Sequence, residues 1–314
     1  MSTPVTRATV HAPVRRHVLS RRRAVAGYLY ISPFLLGFLI FTAVPVLASL
    51  YLSLTSYQIL DAPRFIGIEN YRQALFKDKI FREALFNSTY FAVIGVPLGL
   101  AGSLLCAVLL NQPIKGRAIF RTLYFLPSIT PVVATTLLWM WILNPDFGLM
   151  NYSLSLVNIP GPKWLGSTEW SKPALILMHL WGSMGGGAMI IFLAGLQGIP
   201  EELYESAAID GAKGFQRFWH ITIPMLSPTI FLNLVLGLIG ALKVFTTAFV
   251  ATDGGPGYST LFYILYLFNN AFKFLEMGFA SALAWIFTVL VLALTYAQVR
   301  LSRRWVYYAG ESRE

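Results

Sequence analysis

Charge is scarce in this chain. Only 12% of its 314 residues are Asp, Glu, Lys or Arg, about half the share usual in a soluble domain. So few charged groups cannot cover a water-facing surface, which excludes an ordinary soluble globular protein. Cysteine is almost missing. The single Cys106 excludes an internal disulfide, and its place in an apolar run fits a small buried hydrophobe. The four histidines, His11, His17, His179 and His220, form no pair at metal-ligand spacing, so no zinc site is expected. The phosphate-binding pattern G-x-x-x-x-G-K-[ST] does not occur, so this chain is not expected to bind or hydrolyse ATP, nor to hold a cofactor.

What the chain has is apolar length. Apolar residues make up 56% of it, and mean hydropathy is +0.62. Six runs are long enough to cross ~30 Å of hydrocarbon as helices: 28–54, 89–110, 123–143, 173–196, 229–250 and 277–299. None contains Asp or Glu. With the N-terminus inside, the inner segments hold 15 Lys and Arg and the outer loops hold eight. The outer loops also carry eight acids and sum to zero, so nearly all the net charge of +10 is the positive-inside bias of a membrane protein. Nucleic acid is not needed to explain it. Arg21, Arg22 and Arg23 read as an inside anchor for the first span; a twin-arginine export signal fits poorly, because a 27-residue run and five more spans follow. The expected fold is an all-α polytopic membrane protein of six transmembrane helices, both termini cytoplasmic. It would comprise a basic tail (1–27), a six-span domain (28–299) and a second tail (300–314). Pro33, Pro45, Pro97, Pro127 and Pro131 punctuate the spans, as a transport path or a kinked bundle would require.

The inner loop between spans four and five, about 197–228, carries the most information. Pro200 suits a first helical position, and Glu201 and Glu202 suit the positive end of a helix dipole. Ala207, Ala208, Gly211 and Ala212 give a short helix a nearly bare side for close backbone approach, and Gly211 offers a stop. Phe215, Phe218 and Trp219 place aromatics beside the membrane, and Pro224 and Pro228 are expected to break the chain before span five. An ordinary amphipathic surface loop would share these features.

The spacing is more specific. Glu205-Ser206-Ala207, then Gly211, then Ile221-Thr222-Ile223-Pro224 resembles the signature loop of binding-protein-dependent ABC importer permeases: Glu-Ala-Ala, three residues, Gly, nine residues, Ile-x-Leu-Pro. Ser206 and Ile223 are small departures. The resemblance runs from Tyr28 to Arg304 and is nearest the carbohydrate-uptake kind, the maltose and glycerol-phosphate type. Four phrases carry it: Phe65-Ile66-Gly67-Ile68-Glu69-Asn70-Tyr71; Gly116-Arg117-Ala118-Ile119-Phe120-Arg121; Leu193-Ala194-Gly195-Leu196-Gln197-Gly198-Ile199-Pro200; and Thr252-Asp253-Gly254-Gly255-Pro256-Gly257. Asp253 stands where the family usually has Gly. The resemblance implies a non-catalytic subunit of the bacterial or archaeal plasma membrane. It also implies a second permease of a different chain, two ATPase subunits that bind ATP and Mg, and an extracytoplasmic solute-binding protein. Glu205, Ser206, Ala207, Gly211, Ile221 and Pro224 are the expected ATPase-coupling positions.

Within the spans only His179 and Lys243 are ionisable. His179 reads as a neutral histidine bonded to a neighbouring helix, or else as a proton relay or a substrate ligand of the path. Lys243 reads as a snorkelling residue or as a path contact for an oxygen-rich solute. Asn233 could face a neighbour or the path, and the glycine-rich run 182–187 could serve packing or line a cavity. A secondary ion-coupled transporter is the rival reading, but it lacks the acids that proton coupling uses. A membrane-embedded enzyme lacks a catalytic cluster. Sugar, polyol and glycerol-phosphate ester all stay open as solutes.

Overall fold

A computed structural model describes residues 16–307, with side chains from residue 23 onward. Residues 1–15 and 308–314 of the two expected tails, with His11 among them, lie outside the described residues, as do the side chains of His17, Arg21 and Arg22. The chain divides into two units, 1–51 and 52–314. In the first, helix Arg16–Phe38 runs through a π turn, Leu39–Ala43, into helix Val44–Ser53.

The second unit is built on helix Lys79–Asn111. It starts ten residues before the apolar run that announced it, because Asp78 caps it: one carboxylate oxygen accepts from the N–H groups of Ile80 and Phe81 at 2.8 and 3.0 Å. The other accepts from the Tyr266 hydroxyl. Burial, and then this carboxylate, push the Tyr266 hydroxyl well above the usual phenol range. Buried residues recur along the helix every three or four positions, from Phe81 through Phe91 and Gly99 to Leu110. Helices Ser171–Met184, Gly187–Gln197 and Ile223–Leu242 pack around it. One apolar core joins Phe81, Phe91, Leu175, Phe262, Tyr263 and Leu283; a smaller one joins Ala107, Phe192, Leu196, Ile199 and Leu226.

Four helical stretches are long and apolar enough to cross a membrane: Arg23–Ser53, Lys79–Asn111, Gly214–Ala251 and Met277–Ser302. Two bent pairs raise the number to six if each is one span. These pairs correct the picture of simple third and fourth spans. Helices Arg117–Ile129 and Val132–Ile142 meet at 95°, and Ser171–Met184 and Gly187–Gln197 at 42°. The first bend sits at Pro131, where Thr130 is held extended (φ −72°, ψ 135°) by the proline after it. The second sits at Gly185 and Gly186. A Cβ on Gly185 would collide with the Tyr124 carbonyl of the Arg117–Ile129 helix, so only glycine permits the approach. Pro97 and Pro127, by contrast, lie inside continuous helices.

Two of the recurring phrases have clear structural work. In the first, Asn70 is buried and its Nδ2 donates to the Ser53 and Thr55 carbonyls, each at 2.9 Å. This holds a two-stranded antiparallel ribbon, Thr55–Ser56 with Arg64–Phe65, against the start of helix Met277–Ser302, where the Gly278 N–H donates to the Tyr57 carbonyl at 3.0 Å. In the last phrase Asp253 has φ +46°, a left-handed conformation that favours the family's Gly. Asp tolerates that region, and here Lys273 donates to both its carboxylate oxygens at 2.9 Å.

Candidate functional site

The segment 197–228 is a helical elbow. Helix Glu201–Ile209 begins after Pro200, and its first two residues are the acids the dipole favours. It stops where Gly211 adopts φ +77°, with the Gly211 N–H bonded to the Ala208 carbonyl at 3.1 Å and the Ala212 N–H to the Ala207 carbonyl at 2.8 Å. That is a Schellman closure, with glycine at its left-handed position. A Cβ at 211 would meet nothing within 4 Å, so this chain demands glycine there for conformation rather than for space.

The elbow then turns through Gly214–Arg217 and a π turn, Phe218–Thr222, directly into helix Ile223–Leu242. The expected break at Pro224 and Pro228 does not occur. Pro224 follows directly on the π turn, whose wider pitch accommodates the proline, and Pro228 lies inside the continuing helix. Tyr204 anchors the elbow: its hydroxyl lies 2.9 Å from that of Thr222, and its ring packs on the smaller core beside Ile221. Glu205 and Ser206 are exposed on the outer side, and Ile209 is 87% exposed at the tip. Ala207, Gly211 and Ala212 line a 280 Å³ recess faced by Gln216 and His220.

A second set of features lies among the bent helices. Where both bends and the end of helix Ile223–Leu242 come together there is a cavity of 330 Å³. Phe91, Thr130, Thr136, Trp139, His179 and Ser183 line it, with Val244 and Thr247 beyond the break that follows Leu242. Next to it, a 300 Å³ cavity is lined by Ser103, His179, Ser183, Gly187, Asn233 and Gly237. His179 and Ser183 border both. The His179 ring packs edge-on to Phe91, centroids 5.2 Å apart. Asn233 is only 4% exposed, and its Nδ2 has no hydrogen-bond partner.

The three residues singled out within the spans thus separate. His179 and Asn233 share one cavity wall. Lys243 caps the break at the end of helix Ile223–Leu242, is exposed, and lines neither cavity. Thr130, Thr136 and Trp139, which complete the lining, escaped the sequence reading, and the only local signal for them was Pro131; Ser183 belongs to the glycine-rich run 182–187 already considered for a cavity wall. The glycine-rich run does both things considered for it, since Gly185 packs against backbone while Gly182 and Gly187 line the cavities.

Residues 95–307 match the family described as binding-protein-dependent transport system inner membrane component. The chain is 43% identical to the probable ABC transporter permease protein YesP of Bacillus subtilis, over 94% of this chain and 95% of that one. It is 34% identical to the trehalose/maltose transport system permease protein MalF of Thermococcus litoralis, over 91% and 96% respectively. Its fold matches a solved bacterial ABC transporter involved in the import of the acidic polysaccharide alginate, with TM-score 0.80 and 25% identity, covering 92% of this chain and 99% of that one. Family, sequence relatives and fold agree: the chain belongs to the binding-protein-dependent transport system inner membrane components, and is a multi-pass, non-catalytic permease subunit of an ATP-binding-cassette transporter.

Proposed function

We propose that this permease imports a carbohydrate or related polar solute across a bacterial or archaeal plasma membrane, powered by a separate ATPase that docks on the elbow at 201–212. The paired cavities meeting at His179 and Ser183 carry the solute half of this reading. Their mixture of hydroxyls, an amide, an imidazole and aromatic rings suits a hydroxyl-rich ligand: polar groups fix it while ring faces stack on it. Asn233, buried with an unused donor, supports the same assignment. Relatives are named for trehalose/maltose and lactose transport.

The coupling half rests on the elbow. Its closed Schellman end makes helix Glu201–Ile209 a short rigid body, anchored by Tyr204 and exposing Glu205, Ser206 and Ile209 to a partner. Ala207, Gly211 and Ala212 border a recess that a partner side chain can enter, while Ile221 and Pro224 join the elbow to the next span. The positive-inside bias orients the elbow, and both termini, toward the cytoplasm. The full assembly in this proposal adds a second permease of a different chain, two ATPase subunits holding ATP and Mg, and an external solute-binding protein. A relative of this fold was solved as an alginate transporter with its periplasmic protein bound to an alginate pentasaccharide.

The test is uptake by proteoliposomes holding the co-purified complex. ATP inside, with binding protein and sugar outside, should drive accumulation. Accumulation driven by a proton gradient without ATP would overturn the proposal in favour of a secondary carrier.

A further inference from the structure

We infer that the cytoplasmic cleft behind the elbow is a binding site for the phosphate headgroup of an anionic phospholipid, with Arg217 as its cation. The cleft is the roomiest cavity near the elbow, at 510 Å³. Its walls are the ends of two other helices, at Asn111, Gln112 and Leu196, together with Tyr204, Arg217 and Thr222. None of its lining residues is acidic. The Arg217 guanidinium is not answered from within the chain: its Nε is buried without a hydrogen-bond partner, and no carboxylate among the described residues lies within 4 Å of it. The side chain as a whole is half-buried, so its guanidinium stays open to an anion supplied from outside the chain. Gln112 and Asn111 add amide donors, and the Thr222 and Tyr204 hydroxyls sit across the cleft.

The surroundings select a lipid as the source of that anion. Phe215 is 74% exposed and Trp219 52%, one turn apart on one face of the elbow, with rings edge-on at 6.2 Å. Aromatic residues so placed mark the membrane–water boundary. From the rim at Gln112 an apolar track of Leu109 and Leu105, four residues apart on one helix face and both exposed, leads into the bilayer and suits an acyl chain. Basic pockets between helix ends on the cytoplasmic side take anionic headgroups by the same chemistry. Arg217 also borders the recess proposed for the ATPase, so an occupied cleft would fix one side of the elbow while leaving Glu205 and Ile209 free.

The experiment measures thermal melting of the full-length chain in detergent, titrated with phosphatidylglycerol, phosphatidylcholine or inorganic phosphate. Phosphatidylglycerol should raise the midpoint saturably and the other two should not. Arg217→Gln should weaken that response by roughly fivefold or more, and Arg217→Lys should restore part of it. Should Arg217→Gln fail to fold, Gln112→Glu at the exposed rim serves instead and should weaken the response similarly. Equal responses to both lipids, or a response indifferent to these substitutions, would overturn the inference. So would inorganic phosphate acting alone, which would make the site one for free phosphate. Loss of ATPase capture by Arg217→Gln with lipid response intact would assign Arg217 to the coupling interface instead. The readout is lipid binding by this chain, so it stands apart from whether the transported solute is a sugar.

Discussion

The Lys172 ammonium donates to the Asn87 side-chain oxygen at 3.0 Å, joining helix Ser171–Met184 to helix Lys79–Asn111 one turn away from Phe91 and the larger cavity. Asn87 is fully buried, and its Nδ2 donates onward to the Tyr258 and Leu261 carbonyls at 2.8 and 3.1 Å. One amide therefore ties two helices and the 252–262 turn together. Phe86 and Tyr90 flank the ammonium with their ring centroids 5.2 and 5.5 Å away. Asn87→Ala should cost about 1–3 kcal/mol, since it leaves a buried carbonyl, a part-buried one and a cation unanswered. Lys172→Met should cost less. A double-mutant cycle on melting temperature should show that the two losses are not additive.

Asn233 offers a sharper separation of stability from function. Its donor is already unused in the resting protein, so Asn233→Leu should leave melting unchanged or raise it. Transport should nevertheless fall, because the solute loses a partner. Equal loss of both would make Asn233 a packing residue.

Gly211 should rank its replacements by backbone alone. At φ +77° with open space around the missing Cβ, Gly211→Ala should cost about 1–2 kcal/mol and Gly211→Asn less. Amide hydrogen exchange at 211 and 212 reads the fraying of the helix end, and ATPase capture should follow the same order.

Gly185→Ala should behave differently, because its methyl would strike backbone rather than a yielding side chain. Overpacking of this kind costs about 1–3 kcal/mol. Since the atom struck is the Tyr124 carbonyl, the damage should reach the bent helix pair, and uptake should drop more than melting temperature does.

Asp253→Gly is expected to be nearly silent. The exposed ion pair with Lys273 is worth ~0–1 kcal/mol, and glycine returns a similar amount by relaxing the left-handed backbone. Melting curves of the two proteins should nearly superimpose.

How far the sequence could be read depended on the range of the cause. The apolar runs follow from composition and were visible, though the third and fourth are bent pairs and the fifth breaks after Leu242. The elbow was legible because its stop is a local φ requirement that a glycine at 211 advertises. The early start of helix Lys79–Asn111 was hidden: Lys79, Arg82 and Glu83 look like loop, and only Asp78 as a cap reveals otherwise. Pro131 was visible as a break, yet nothing local gives the 95° turn. The cavity walls come from helices distant in sequence. For this reason His179 and Asn233 could be picked out singly, while their sharing of one wall could not be foreseen.

The bend at Thr130 and Pro131 has a further result for how the bilayer meets this protein. A helix that ends must find partners for its last carbonyls, and Pro131 has no N–H to offer. The Thr130 hydroxyl donates to the Leu126 carbonyl at 3.2 Å and the Ser128 hydroxyl to that of Phe125 at 2.7 Å, so side chains of the turn supply donors where the backbone runs out of them. Hydrocarbon offers no donor at all, so a break at this depth is tolerated because the residues of the turn bring their own, and the bilayer meets a bend that is already hydrogen-bonded from within.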